Sequence, residues 1–223
     1  MKPQRIILIR HGESEGNVNK DIYDTKPDYA LELTPNGVLQ AEQAGKVIAS
    51  LVGEEAITFY VSPMWRTRMT FENIVLSLNK ENISYKEDPR LREQEWGHLR
   101  SNEETERIMI ERDNYGTFYY RFLHGESGAD VYDRASDFLG TLTRDFEKPD
   151  FPPNVVIVTH GMTLRLFLMR WFHWTVEEFE QVKNPKNCEI IVMEKNRNDK
   201  YQITKPIEKH NVFHGFQRPV KFK

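Results

Sequence analysis

The sequence predicts an α/β protein of three layers, in which helices cover both faces of a mostly parallel central sheet. Short, continuously apolar runs such as RIILIR (5–10) and NVVIVTH (154–160) are typical of strands buried on both faces. These runs alternate along the chain with segments of helical spacing, the pattern of a parallel sheet between helices. A length of 223 residues with 39% hydrophobic content is enough for one sizeable core.

The elements of the first half follow from local signals. In the segment that begins at Thr34, a threonine suits the N-cap, Pro35 suits the first helical position, and apolar residues then recur at helical spacing. The predicted elements of this half are strands at 5–10, 57–62 and 83–88, helices at 34–52 and 64–78, and a loop at 21–33.

The second half continues the alternation after an ambiguous, aromatic-rich stretch at 98–124, which we expect to be helical in pieces. The other predicted elements are helices at 127–146 and 162–172, a short helix after a Thr175–Glu178 capping box, a strand at 154–160, and paired strands at 188–195 and 201–206. We therefore expect a single domain over residues 1–205 and a basic tail over 206–223. The tail is either a solvated segment or a lid or partner segment near an anionic site.

Composition excludes several classes of protein. A net charge of −3 argues against nucleic acid or an acidic membrane surface as a partner. A single cysteine, Cys188, excludes an internal disulfide and is typical of a reducing compartment. No apolar run is long enough to span a membrane, and the first residues lack the apolar region of a secretory signal. We therefore expect a cytoplasmic protein.

Two of the predicted strands end in the same dipeptide, in IRHG at 9–12 and in VTHG at 158–161. Ligands of open α/β sheets bind beyond the carboxyl ends of the strands, where His11 and His160 would lie. A glycine after each histidine lets the backbone turn sharply and expose its amide hydrogens. A single histidine at a strand end is more often a structural residue that is hydrogen-bonded to a loop. Two matching strand ends, one preceded by Arg10, favour a functional site.

The residue types at these positions indicate anion chemistry. The planar fork of arginine suits a phosphate or carboxylate, and histidine can act as a nucleophile or proton carrier near neutral pH. Arg66, in the first turn of the predicted helix at 64–78, would add a second guanidinium beside helix-terminal amides, although it could equally be a surface ion-pair residue. The segment LREQEWG (91–97) offers carboxylates that could supply a proton.

Five segments occur in the order and approximate spacing of one known family. They are RHGESEGN, SPMWRTRMT, LREQEWG, GESGADVYDR and VTHG. From about residue 4 to residue 195, the chain resembles the histidine phosphatase superfamily, the phosphoglycerate-mutase-like proteins. It looks closest to the small plant and fungal phosphatases of that family. The resemblance implies the phosphoglycerate-mutase-like version of the three-layer fold.

The resemblance also implies roles for individual residues. His11 matches the nucleophile that becomes phosphohistidine, Arg10 and Arg66 match two arginines that clamp the phosphate, and His160 matches the second histidine. The further matches are Asn17 and Gly161 as phosphoryl-binding residues and Glu93 as general acid, with Glu95 as the nearest competitor for that role.

The chemistry sets conditions on the charges of these groups. Arg10, Arg66 and a protonated His160 would neutralise a phosphate dianion, whereas His11 must be neutral to attack it. Glu93 must carry or share a proton that it can give to the leaving oxygen. Neither a metal nor a cofactor is expected, because the sequence has no HExxH motif or Cys/His ligand cluster, and His210 with His214 is a weak pair.

Three functions are compatible with the resemblance: a phosphatase, a cofactor-dependent phosphoglycerate mutase, and a non-catalytic phospho-ligand-binding protein. The third is disfavoured because every catalytic position is filled. Mutases of the family carry a long insertion between the glutamate motif and the second histidine, whereas the stretch from Glu93 to His160 is short. The resemblance therefore favours a phosphatase of a small-molecule phosphate monoester. It leaves the substrate and the oligomeric state open.

Overall fold

The computed structural model describes residues 2–97 and 102–210, so the predictions made for residues 98–101, His214 and most of the basic tail lie outside it. Within the described ranges the strands are β1 (Arg5–Arg10), β2 (Ile57–Val61), β3 (Ile83–Glu87), β4 (Asn154–Thr159), β5 (Ile190–Lys195) and β6 (Tyr201–Ile203). The α-helices are α1 (Glu15–Val18), α2 (Pro35–Val52), α3 (Trp65–Val75), α4 (Asn102–Tyr115), α5 (Gly128–Phe146), α6 (Gly161–Phe172) and α7 (Val176–Gln181).

Local signals explain where the helices begin. The Thr34 side chain accepts a hydrogen bond from the Gly37 amide, as expected of the predicted N-cap of α2. Capping boxes begin α5 at Ser127 and α7 at Thr175, and the box at Thr175 was predicted. The four-residue helix α1 was not predicted, and the predicted loop at 21–33 contains two short 3₁₀ turns.

The predicted fold class is confirmed. The six strands form one sheet in the order β3-β2-β4-β1-β5-β6. Strands β1 to β4 pair in parallel, while β5 and β6 are antiparallel additions at one side. The closing strands pair with each other as predicted.

The two faces of the sheet are covered by different helices, which gives the three layers. Alternate residues of β1 divide between the faces: Ile6 and Leu8 pack with α5 and α6, whereas Ile7 and Ile9 pack with α2 and α3. Within the described ranges, no helix combines the length and apolar character needed to cross a membrane.

The pairing of β1 with β4 places the two His-Gly strand ends together. Arg10 lies opposite Thr159 in the register, so His11 and His160 follow side by side at the carboxyl edge of the sheet. Strand β1 pairs in parallel with β4 and antiparallel with β5. Ligands of such sheets bind beyond the carboxyl ends of the parallel strands, so we expect a ligand beside His11 and His160.

Candidate active site

Both histidines are buried at the carboxyl ends of β1 and β4. The His11 amide donates to the Thr159 carbonyl over 2.9 Å, which extends the strand pairing by one residue. The two rings meet edge to face, with centroids 5.1 Å apart. The structure thus brings together the two histidines that the sequence placed at separate strand ends.

The His11 ring is held in one tautomer. Its Nδ1 lies 2.7 Å from the carbonyl oxygen of Gly12. A carbonyl only accepts, so Nδ1 carries the hydrogen and Nε2 keeps its lone pair. Burial, and then the charges of Arg66 and Arg10, hold the pKa of His11 well below its usual value. His11 therefore meets the condition of neutrality that a nucleophile requires.

The His160 ring has one satisfied nitrogen and one that is not. Its Nε2 lies 2.8 Å from the Ser62 hydroxyl oxygen. Its Nδ1 is buried and has no hydrogen-bond partner within the described ranges. Burial, and then the charges of Arg66, His11, Arg134 and Arg10, hold the pKa of His160 well below its usual value. Burial and the neighbouring arginines thus favour a neutral His160 in the protein without phosphate, whereas the protonated His160 expected beside a phosphate dianion stays a prediction.

The lowered pKa values of both histidines predict a loss of stability in acid. Below about pH 6.5 the unfolded chain binds protons that buried His11 and His160 do not, so the free energy of unfolding falls as pH falls. The slope should reach about 1.4 kcal/mol per pH unit for each histidine. Urea unfolding between about pH 5 and pH 7 measures it. A double variant, His11→Asn with His160→Gln, should show a shallower slope, and an unchanged slope would assign the effect to other groups.

The two arginines face the histidines but differ in how they are held. Arg10 donates from Nη1 to the Pro185 carbonyl over 2.7 Å, and its buried Nε has no partner in the described part of the chain. Arg66, which is buried, donates from Nη1 and Nη2 to the Asp28 carboxylate over 3.0 and 3.2 Å. It also donates to the Asp28 backbone carbonyl over 2.7 Å. Asp28, which the sequence did not single out, thus fixes the second arginine.

Asn17 is oriented by donors that occupy its carbonyl oxygen. Oδ1 accepts from the Ser14 amide over 3.0 Å, from the Ser14 hydroxyl over 3.2 Å and from Asn187 Nδ2 over 3.0 Å. Because all three groups are donors, the atom that they contact must be the oxygen of the Asn17 amide. The other terminal atom, Nδ2, is a donor. Asn187 also donates to the His11 carbonyl over 3.1 Å, so it braces two predicted site residues at once.

Gly161 begins α6, directly after His160. A Cβ added there would lie 2.1 Å from Asn184 Oδ1, so the glycine lets the loop before β5 approach closely. The same loop supplies Asn187 and the Pro185 carbonyl. Sequence reasoning missed this loop because its residues show no periodicity and contact a strand far away along the chain.

Glu93 and Glu95 differ in their surroundings. Glu93 accepts hydrogen bonds from its neighbour Gln94 N over 3.1 Å and from Met162 N over 3.4 Å, at the amino end of α6. The Thr163 hydroxyl lies 3.5 Å from Glu93 Oε1. Glu95 is exposed. Glu93 therefore lies close to the start of the helix that follows His160.

A cavity of about 870 Å³ opens over these residues. Of the predicted site residues, Arg10, His11, Asn17, Arg66 and Glu93 line it, and His160 lies buried beside His11. The other lining residues are Ser14, Lys20, Asp21, Tyr23, Asp24, Pro27, Asp28, Tyr29, Met64, Glu95, Trp96, Gly97, Thr105, Met109 and Asn184.

Aromatic side chains line this cavity from two separate segments of the chain. Tyr23 and Tyr29 are contributed by the 3₁₀ turns after α1, and Trp96 by the segment before α4.

Residues 6–205 match the sequence profile of the histidine phosphatase superfamily, branch 1. The chain belongs to the histidine phosphatase superfamily. It is 44% identical over 214 residues to the phosphoglycerate mutase-like protein AT74 of Arabidopsis thaliana, an alignment that covers 90% of this chain and 68% of that protein. It is 31% identical to the broad-range acid phosphatase DET1 of Saccharomyces cerevisiae, with 86% of each chain covered. The resemblance seen in the motifs is confirmed.

A solved structure agrees with this fold of the histidine phosphatase superfamily. A mycobacterial glucosyl-3-phosphoglycerate phosphatase, solved with VO₃, superposes with a TM-score of 0.72 over 92% of this chain and 98% of the other. The two sequences are only 18% identical, so this likeness concerns the fold. Together with the acid phosphatase relative, membership of the superfamily supports a hydrolase.

Proposed function

We propose that the protein hydrolyses phosphate monoesters through a phosphohistidine on Nε2 of His11, with Glu93 as the proton donor and then the base. The observation that carries the proposal is the state of His11. A neutral imidazole, with Nδ1–H bound to the Gly12 carbonyl, leaves Nε2 free to attack. It does so beside Arg10 and Arg66, the two charges that a phosphate dianion needs.

Several unsatisfied donors support binding of the phosphoryl group at this point. Arg10 Nε is buried without a partner in the described ranges, and Asn17, whose Oδ1 is already occupied, has Nδ2 left as the group that could donate to a phosphoryl oxygen. His160 Nδ1 becomes a third donor when the Ser62 hydroxyl donates to Nε2, because Nδ1 then carries the hydrogen. Each donor aimed at a phosphoryl oxygen can be worth about 10²- to 10³-fold in rate. A dianion among these groups also favours transient protonation of His160.

The proposed reaction has two steps. In the first, a bond forms between His11 Nε2 and phosphorus, the bond to the ester oxygen breaks, and Glu93 gives its proton to that oxygen. In the second, water attacks phosphohistidine and gives a proton to Glu93, and phosphate leaves. The position of Glu93 allows both steps, because it lines the cavity that also holds His11.

The charges around the cavity favour hydrolysis over a mutase reaction. Beyond the two arginines, Lys20 is the cation among its described lining residues, and it already donates to the Gly16 carbonyl over 2.7 Å. Two other carboxylates that line the cavity, Asp24 and Glu95, would lie near the rest of the substrate. A bisphosphate intermediate, which a mutase must retain, carries a second phosphate that these groups would repel.

A direct comparison of rates tests this choice. With 3-phosphoglycerate as substrate, we expect any turnover to appear as inorganic phosphate, with no conversion to 2-phosphoglycerate above the background of the His11→Ala variant. Parallel assays with nitrophenyl phosphate and several alkyl phosphates should also release phosphate. Isomerisation faster than phosphate release would replace the phosphatase proposal with a mutase.

Hydrolysis by these residues needs no metal ion. Within the described ranges, no three His, Cys, Asp or Glu side chains are grouped so that they could hold one. Treatment with a chelator, followed by removal of the chelator, should therefore leave the turnover of nitrophenyl phosphate unchanged. Loss of activity that a divalent metal restores would contradict the proposed chemistry.

A further inference from the structure

The segment that carries Glu93 lies outside the sheet and the α-helices. It follows a 3₁₀ turn at Pro89–Leu91, and α4 begins only at Asn102. Such a segment needs other contacts to fix a catalytic side chain. They come from GESGADVYDR, the motif of the resemblance to which the proposed reaction gives no role.

Arg134, in the second turn of α5, binds the backbone just before Glu93 and at Glu93 itself. Its Nη1 donates to the Arg90 carbonyl over 2.7 Å and to the Arg92 carbonyl over 2.8 Å. Its Nη2 donates to the Glu93 carbonyl over 3.1 Å. The side chain is 10% exposed, so little water competes for these bonds.

Glu126 binds both Arg134 and the backbone of the residues that follow Glu93. Its carboxylate accepts from Arg134 Nη2 over 3.0 Å and Nε over 3.1 Å, and from the Glu95 amide over 3.0 Å. The Glu126 amide donates to the Glu95 carbonyl over 2.8 Å, and Gln94 Nε2 donates to the Glu126 carbonyl over 2.9 Å. One partly buried ion pair therefore binds the chain before, at and after Glu93.

We propose that Arg134 and Glu126 are positioning residues for the proton donor. By fixing the carbonyls of Arg92 and Glu93 and the amide of Glu95, the pair sets where the Glu93 carboxyl lies relative to the phosphoryl site. Misplacement of a catalytic group by about 1 Å can cost about 10²-fold in rate. The inference rests on the proposed role of Glu93, and it assigns the contribution of the pair to the protonation of the leaving group.

The test is the dependence of the phosphorylation step on the leaving group. Single-turnover, rapid-quench rates of His11 phosphorylation are measured with an alkyl phosphate and with nitrophenyl phosphate. Arg134→Gln should lower the rate of His11 phosphorylation by about 10- to 100-fold with the alkyl phosphate and by less than about threefold with nitrophenyl phosphate. Glu126→Gln should give the same pattern, and Arg134→Lys, which keeps the charge but not the fork, should fall between Arg134→Gln and the wild type.

A matched control lies on the same helix. Asp137 accepts from Arg90 Nη1 over 2.6 Å and binds the chain just upstream of Glu93, but its side chain is 72% exposed. Asp137→Asn should leave both rates within about twofold of wild type. Circular dichroism and urea unfolding establish that each variant is folded. If Arg134→Gln does not fold, Glu126→Gln and Arg134→Lys make the same comparison.

A double variant separates this inference from the proposed role of Glu93. In a Glu93→Gln background, Arg134→Gln should add no further selective loss with the alkyl phosphate. If Glu93→Gln alone is selective but the Arg134 and Glu126 variants slow both substrates equally, the pair is only structural. If Glu93→Gln alone slows both substrates equally, Glu93 is not the proton donor. The proposed positioning role of Arg134 and Glu126 is then wrong as well.

Discussion

His11→Ala is expected to reduce the hydrolysis of nitrophenyl phosphate by at least about 10⁴-fold while the protein stays folded. The imidazole is the proposed nucleophile, and none of the remaining groups that line the cavity is expected to replace its neutral nitrogen. Its hydrogen bond to the Gly12 carbonyl is local, and the strand before it is held by the central sheet. Steady-state assays with purified variants measure the loss.

His11→Asn separates loss of the nucleophile from loss of structure. Asparagine can still donate to the Gly12 carbonyl and fills part of the space of the ring, but it cannot form phosphohistidine. It should be as inactive as the alanine variant. The free energy of unfolding of both variants should lie within about 2 kcal/mol of that of the wild type. Turnover like that of the wild type in either variant would remove the covalent mechanism from consideration.

Glu93→Gln is expected to lower the phosphorylation rate with alkyl phosphates by about 10²- to 10⁴-fold and to affect nitrophenyl phosphate distinctly less. Alkoxides are strongly basic and need a proton as they leave, whereas nitrophenolate is weakly basic and needs it far less. Glutamine keeps the size of Glu93 and an oxygen to accept from the Met162 amide, but it has no proton to give. Rapid-quench kinetics with both substrates measure the two rates.

The same variant should also slow the water step, for which Glu93 would be the base. Nitrophenyl phosphate should then give a burst of nitrophenolate followed by slow turnover. Glu95→Gln is the matched control, because Glu95 lines the same cavity two residues further along and is exposed. If Glu93→Gln slows both substrates equally in the burst phase, Glu93 positions other groups, and Glu95 becomes the next candidate for the acid.

The fold was predictable because its main signals are local. Strands β1 and β4 are continuous apolar runs, and Thr34 with Pro35 marks the beginning of α2 through contacts within one turn. The two His-Gly strand ends pointed to a site because the carboxyl ends of parallel strands share one edge of the sheet. The antiparallel pairing of β5 with β1 is a long-range contact that local patterns do not encode.

The rest of the site depends on contacts between residues far apart in the sequence. Asp28 binds Arg66, Ser62 binds His160, Asn187 binds Asn17 and the His11 carbonyl, and Arg134 with Glu126 binds the segment around Glu93. A polar residue in a loop carries no periodic signal, so these partners could not be identified before the fold was known. The lowered pKa of His160 could not be predicted either, because burial, its largest cause, is a property of the folded chain.

The central claim is that the phosphoryl group passes through His11, and trapping it there is the most direct test. The protein is mixed with ³²P-labelled alkyl phosphate and quenched in alkali within milliseconds, since phosphohistidine survives base, and the labelled peptide is identified by mass spectrometry. The account predicts a label on His11 that appears before free phosphate and decays to it at a rate no slower than turnover. The label should be absent in His11→Ala. Full turnover with no label on His11, or with the label on another residue, would contradict the account.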